Sequence, residues 1–143
     1  MWSYRREVQY YETDRMGVIH HSNYLRILEE ARMAWMEANF EPYPEIEKRG
    51  IIVPFTRSEA TFLSFLRFGD TFRVEMELYK FTGLRMYFRY KVYNENTGEL
   101  CHEAITVHYT TTEEDYKPTS VKRTHPDLFE KLLSLVSDSE KSE

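Results

Sequence analysis

The sequence predicts an α+β fold: one long helix against an antiparallel sheet, with a short second helix near the C-terminal end. Three observations carry this. Residues Tyr24 to Ala38 place apolar side chains at helical spacing. Several later segments alternate apolar and polar residues between short turns. Aromatic residues make up 15% of the 143, with 11 Tyr and 9 Phe, a composition suited to half-buried pleated surfaces.

Each element follows in order. Trp2 to Tyr10 reads as a strand half exposed to water, with Trp2, Tyr4, Val8 and Tyr10 on one side and Arg6 the exception. Glu12 to His21 breaks every period, and Gly17 is the natural bend. Ser22 is the expected N-cap of the long helix, because its hydroxyl can accept from an unpaired N–H. Tyr24, Ile27, Leu28, Ala31, Trp35 and Ala38 then form one face, and Leu25, Met33 and Met36 widen it. So wide an apolar face predicts a helix covered on several sides. Pro42 and Pro44 end it. Ile51 to Phe55 reads as a short strand and Glu59 to Leu66 as a second, followed by the turn Arg67 to Asp70. Strands over Thr71 to Tyr79, Met86 to Tyr93 and Leu100 to Thr111 complete the sheet, with turns at Thr82-Gly83 and Asn94 to Gly98. Pro126 to Val136 is a short amphipathic helix.

The length predicts one domain over residues 1–137, with 138–143 as a flexible tail. Hydrophobic residues at 41% and charged residues at 30% fit a globular chain. A net charge of -5 argues against a general nucleic-acid binder, which carries a basic excess. Cys101 is the only cysteine, so no intramolecular disulfide can form. No signal peptide or membrane span is read, and the expected location is cytoplasmic.

The chemistry concentrates between Tyr11 and Tyr24. Asp14 precedes His21 by seven positions, and His21 stands at the helix entrance. The first turn of a helix has N–H groups without internal partners and a partial positive charge, so it can stabilise an oxyanion. A carboxylate facing it can act as general base on water or as nucleophile. Together they suit acyl transfer. An aspartate before a glycine turn is more often a turn former or backbone acceptor than a catalyst, and the residues alone leave both readings open. No serine-nucleophile elbow appears. His20 and His21 are adjacent and lack a further ligand at metal-site spacing, so no metal is expected.

The stretch D-R-M-G-V-I-H-H-S-N-Y-L-R, Asp14 to Arg26, resembles the signature of hotdog-fold acyl-CoA thioesterases, in particular the 4-hydroxybenzoyl-CoA thioesterase-like group. Asp14, Gly17, Val18, Ile19, His21, Asn23 and Tyr24 match that pattern. The likeness runs over about Tyr4 to Leu128 and includes R-F-G-D at Arg67 to Asp70 and K-P-x-x-V at Lys117 to Val121. His20 departs from it, because an aromatic is usual there. The resemblance implies a curved antiparallel sheet wrapped around the long helix. It implies Asp14 as base or nucleophile, the His21 backbone N–H as oxyanion donor, and Gly17 as the turn that joins them. Tyr24, Asn23 and His20 would shape the pocket. Arg85 and Lys117 would meet the phosphates of coenzyme A, and Glu59 would face the reaction site. It further implies a site between subunits, with a homodimer at minimum and a homotetramer common. The substrate would be an acyl-CoA, or an acyl thioester on an acyl carrier protein, with no separate cofactor. Two other readings stand beside hydrolysis. One is a hotdog dehydratase or hydratase, which needs His21 to converge with Glu29 or Glu30. The other is a module that binds acyl-CoA or acyl carrier protein without turnover.

Overall fold

The computed structural model describes residues 1–114 and 116–137; the expected tail at 138–143 lies outside them. The sheet has five strands: β1 (Ser3–Glu7), β2 (Phe55–Phe62), β3 (Thr71–Phe81), β4 (Arg85–Asn94) and β5 (Leu100–Tyr109). Their order is β1-β3-β4-β5-β2, and every neighbouring pair is antiparallel. Helix α1 (Tyr24–Asn39) is followed by α2 (Tyr43–Lys48), and α3 (Val121–Thr124) and α4 (Pro126–Ser134) come after the sheet. The α+β class and the long helix packed on an antiparallel sheet are as the sequence predicts.

The core is the interface between α1 and the sheet. Ile27, Leu28, Ala31 and Trp35 of α1 are buried with Phe72, Val74, Met76 and Leu78 of β3, and with Met86, Phe88 and Val92 of β4. The clean alternation along β3 and β4 produced this inward face. Burying each large apolar side chain contributes about 1.5–3 kcal/mol.

Several boundaries differ from expectation, each for a physical reason. The first strand stops at Glu7, because Tyr10–Glu12 turns into a 3-10 helix and leaves Tyr10 exposed. Arg6, the apparent exception on the inner face, points inward because two carboxylates receive it. Helix α2 was not expected. Pro44 sits at its N-terminal end, where a missing N–H costs nothing, so the prolines that end α1 also start α2. In place of two segments around 51–66 there is one strand, β2, and Ile52 makes only a single bridge to Thr111. Leu25 and Met33 are exposed, so one chain covers α1 on the sheet side only.

The turn at Gly83 joins the sheet to the C-terminal helices. Gly83 has φ +89° and accepts a hydrogen bond from Val121 N–H at 2.9 Å. A Cβ there would stand 3.0 Å from the Phe129 ring. Gly98 has φ +79° with open space around it. Both would lose about 1–2 kcal/mol as alanine from the left-handed backbone alone. Gly83→Ala is expected to cost more than Gly98→Ala, because the Phe129 ring must also shift. Urea unfolding of the two variants measures the difference.

Candidate active site

The loop from Glu12 to His21 is anchored before it begins. Arg6 Nη1 and Nη2 donate to Glu12 Oε1 and Oε2 at 2.8 and 2.6 Å. The same guanidinium reaches Glu30 on α1, Nε donating to Oε2 at 2.7 Å and Nη2 to Oε1 at 3.0 Å. Tyr4 OH donates to Glu30 Oε2 at 3.1 Å, and Gln9 N–H donates to Glu12 Oε1 at 2.8 Å. Glu12 is only 3% exposed. Burial by itself would raise its carboxyl. The Arg6 hydrogen bonds, the Gln9 N–H and the Arg6 charge outweigh that and hold it below the ordinary carboxylate range. The Glu12 backbone carbonyl accepts two further bonds, from Asn23 Nδ2 and from His20 N–H, both at 2.9 Å. One residue therefore ties β1, the loop and the start of α1 together.

Beyond Glu12 the chain forms a small hairpin. Asp14 N–H donates to Val18 C=O, and Gly17 N–H to Asp14 C=O, each at 2.9 Å. Gly17 has φ +79° and nothing near a would-be Cβ, so glycine is required by the bend and not by crowding. Ile19 N–H donates to Leu66 C=O at 2.9 Å, which docks the hairpin on the segment after β2. Asp14 is half-buried. Its Oδ1 accepts the Met16 N–H at 2.8 Å, which fixes the carboxylate and leaves Oδ2 unused among the described residues.

The helix entrance is a 3-10 turn, His21–Asn23, that runs into α1. Its cap is the His20 ring, not the Ser22 hydroxyl expected from sequence. Nδ1 of His20 accepts the Ser22 N–H at 3.2 Å and lies 2.7 Å from Ser22 Oγ. Asn23 N–H donates to His20 C=O, and Tyr24 N–H to His21 C=O. The N–H groups of Ser22, Asn23 and Tyr24 are thus taken. The His21 N–H has no acceptor among the described residues and stands at the positive end of the helix.

A cleft of about 260 Å³ opens here, and its lining includes Asp14, His21, Tyr24 and Phe62. The carboxylate and the helix entrance share one space. Tyr24 forms a buried wall. Behind it His102 of β5 stacks on the Tyr24 ring with centroids 4.2 Å apart, and Phe62 packs edge-on to Tyr24 at 5.5 Å. His102 is 1% exposed, and neither ring nitrogen has a hydrogen-bond partner. Burial pushes its pKa down to about 4 and that of Tyr24 up to about 12, so both rings are neutral.

The remaining candidates lie elsewhere in a single chain. Asn23 braces the loop through Glu12, and His20 caps the turn while packing on His21 at 4.1 Å. Glu59 lies on exposed β2, paired with Arg57, beside a groove shared with Arg89 and Glu103. Arg85 starts β4, paired across from Tyr109 at the far end of β5. The Lys117 carbonyl accepts from Thr111 Oγ1 at that same end. Neither basic residue reaches Asp14 within one chain. Glu30 is held by Arg6, and Glu29 lines a different cavity, so no helix carboxylate joins His21 in the cleft. The sequence reading missed Arg6, Glu12 and His102. Arg6 breaking the alternation of β1 was the one available signal.

Comparison with known proteins shows the family and the fold. The sequence profile of the thioesterase-like superfamily matches residues 8–130. The chain belongs to the thioesterase-like superfamily. It is 31% identical over 121 residues to a Bacillus subtilis protein named "Putative acyl-CoA thioesterase YneP", covering 85% of this chain and 87% of that one. It is 32% identical over 108 residues to a 1,4-dihydroxy-2-naphthoyl-CoA hydrolase of Thermosynechococcus vestitus, covering 73% and 72%. The crystal structure of a DHNA-CoA thioesterase from Staphylococcus aureus superposes with a TM-score of 0.90 at 29% identity, over 99% of this chain and 94% of that one. Thioester hydrolysis is the activity of this family, and the hotdog fold is its architecture. No helix among the described residues is long and apolar enough to cross a membrane.

The buried groups make stability pH-dependent. His102 and His108, the latter pushed down to about 3 chiefly by burial, bind no proton in the fold until well below their unfolded value of about 6.5. Their contribution is complete above about 6.5 and declines by about 1.4 kcal/mol per pH unit for each histidine as pH falls toward their folded values. Glu12, depressed in the fold, adds a further loss below its unfolded value of about 4.3. His102→Phe is expected to flatten this dependence between about pH 6 and 4 by removing one of the two buried imidazoles. Glu12→Gln should cost about 3 kcal/mol at neutral pH, the lower end for a broken buried pair, because Glu30 still faces Arg6. Urea unfolding at a series of pH values checks both.

Proposed function

We propose that this protein hydrolyses an acyl-CoA thioester, with Asp14 driving the attack and the His21 backbone N–H holding the oxyanion. The observation that supports this is that His21, whose N–H has no acceptor among the described residues, lines the same cleft as the half-buried Asp14. The thioester carbonyl lies between the two. Asp14 takes a proton from water as it adds to the carbonyl carbon, or adds to that carbon itself before water releases the acid. The C–S bond breaks and coenzyme A leaves as the thiolate. Negative charge that develops on the carbonyl oxygen meets the His21 N–H and the positive end of α1. Tyr24, neutral and stacked on His102, forms an apolar wall that limits water around the reacting carbon.

The working unit in this reading is a dimer. Strand β2 is a sheet edge exposed at every residue, a surface that proteins cover or pair. Antiparallel pairing with a second copy brings the Phe62 end of one β2 beside the Phe55 end of the other. Phe62 lines the Asp14 cleft. Phe55 lies opposite His108, next to the pair Tyr109 and Arg85. Pairing therefore carries Arg85 and Lys117 of the second copy toward the mouth of the cleft, where coenzyme A phosphates need cations.

The test is release of free thiol from a panel of acyl-CoAs. Asp14→Asn is expected to lower kcat by about 10²–10⁴-fold, the range for a positioned base, while the fold is retained. Turnover unchanged in that variant would remove Asp14 from the mechanism. Arg85→Ala and Lys117→Ala are expected to raise KM for acyl-CoA and to leave KM unchanged for the matching acyl-pantetheine, which lacks the nucleotide phosphates. Sedimentation is expected to find a dimer or tetramer, and an active monomer would overturn the pairing.

A further inference from the structure

Tyr24 is the first residue of α1 and follows directly on the 3-10 turn that begins at His21. In a 3-10 turn, side chains three residues apart stand in line. An aromatic side chain on a helix also leans toward the helix start. Both effects carry the Tyr24 ring toward the end of the helix where the His21 N–H stands, and both residues line the Asp14 cleft.

A buried tyrosine ordinarily spends its hydroxyl on a partner. Tyr90 does so, with Arg32 and Thr106. The hydroxyls of Tyr43 and Tyr4 bond the Val53 N–H and the Glu30 carboxylate. The Tyr24 hydroxyl has no hydrogen-bond partner among the described residues. It is not sealed off either. Among the described residues, the side-chain atoms that are both sealed and unpartnered are the two ring nitrogens of His102. The Tyr24 oxygen therefore keeps an opening, on a residue only 5% exposed.

The ring that carries this hydroxyl is held from two sides. His102 stacks on it at 4.2 Å with the planes 16° apart. Phe62 meets Tyr24 edge-on at 5.5 Å and His102 at 4.8 Å. The lone pair and N–H of an imidazole lie in its own plane, so a ring stacked this nearly parallel cannot take the Tyr24 proton. His102 steadies Tyr24 and leaves its hydroxyl free. Burial, with Cys101 adding to it, pushes the Tyr24 pKa up to about 12, so the hydroxyl remains a donor through neutral and mildly alkaline pH.

We propose that Tyr24 is a catalytic residue, whose hydroxyl donates a second hydrogen bond to the thioester carbonyl oxygen as that oxygen gains charge. The proton stays on Tyr24 throughout, and the bonds made and broken are those of the hydrolysis already described. A donor fixed in advance stabilises such charge without reorganising. His102 acts through Tyr24 and is a positioning residue. This inference rests on the hydrolysis reading and adds to it a side-chain donor beside the His21 N–H.

Tyr24→Phe tests it, because phenylalanine keeps the ring stack and removes only the hydroxyl. Thiol release is measured with benzoyl-CoA and hexanoyl-CoA, one aromatic and one aliphatic. The variant is expected to lower kcat by about 10²–10³-fold for both, the range for one lost oxyanion donor. KM should stay within about twofold, as for an interaction made only in the transition state. Its urea midpoint should equal or exceed that of the parent, since an unbonded hydroxyl is lost. Placing 3,5-difluorotyrosine at position 24, whose hydroxyl is more acidic, should bring a falling alkaline limb into the kcat profile, because an ionised oxygen cannot donate. Unchanged kcat in Tyr24→Phe would overturn the inference. So would a loss confined to one acyl group, which would place the hydroxyl on the acyl chain. A lowered urea midpoint would also overturn it, because the hydroxyl would then be spent inside the fold. A parent that releases no thiol from any acyl-CoA of the panel fails the hydrolysis reading, and this inference with it. A parent that needs Asp14 but is indifferent to Tyr24→Phe fails this inference alone.

Discussion

The Arg6 guanidinium, clasped between Glu12 and Glu30, is the interaction on which the rest of the site depends. It joins three parts of the chain: the first strand, the loop and the long helix. A buried ion cluster of this kind adds little net stability compared with an apolar core. It adds direction instead, because the Glu12 carboxylate faces one guanidinium and the Glu12 carbonyl faces the helix entrance. That geometry acts together with the buried Val18 and Ile19 to hold the loop against the start of α1. A purely apolar anchor would let the loop slide, and sliding by one ångström is enough to disrupt a reacting arrangement.

From that anchor the chemistry follows by elimination among backbone groups. The entrance of α1 offers several N–H donors, and among the described residues local structure consumes those of Ser22, Asn23 and Tyr24. The His20 ring takes one, and the carbonyls of His20 and His21 take two more. Among the described residues the His21 N–H remains, on a cleft that Asp14 also lines. The same arrangement explains why glycine stands at position 17. The hairpin must return the chain in four residues, and the left-handed bend that does so excludes other side chains.

The two ends of the helix–sheet contact carry different polar devices along one strand. At one end of β5, His102 is an unpartnered neutral ring that acts as a flat surface behind Tyr24. At the other end, His108 closes a chain of hydrogen bonds that starts at Arg32 and runs through Tyr90 and Thr106. Both residues occupy inward positions that an apolar residue would ordinarily fill. Burial keeps both neutral and makes them sensitive to acid, and only the second is wired to a charged group. The sheet edge at β2 runs between these ends, so the proposed pairing of two copies would bring the unlike ends together.

Periodicity determined much of this protein before any coordinates. Alternation in β3 and β4 and the helical spacing from Tyr24 onward fixed the class, the sheet and the inner faces, because each pattern matches only one backbone repeat. The signature from Asp14 to Tyr24 pointed to the family and to a candidate site, since it places an acid, a bend and a helix start close together. Other features depended on where distant residues meet, which no local pattern encodes. Pro44 could equally end one helix or begin the next. Arg6 looked like a flaw in the alternation until Glu12 and Glu30 stood beside it. The cap on the helix turned out to be an imidazole, and Arg85 and Lys117, expected near the pocket mouth, lie at the far end of the sheet. Sequence sets which backbone each segment prefers, through short-range sterics and burial. Only the folded chain decides which charges are neutralised, which donors stay free and which cavities remain, because those outcomes depend on partners many residues away.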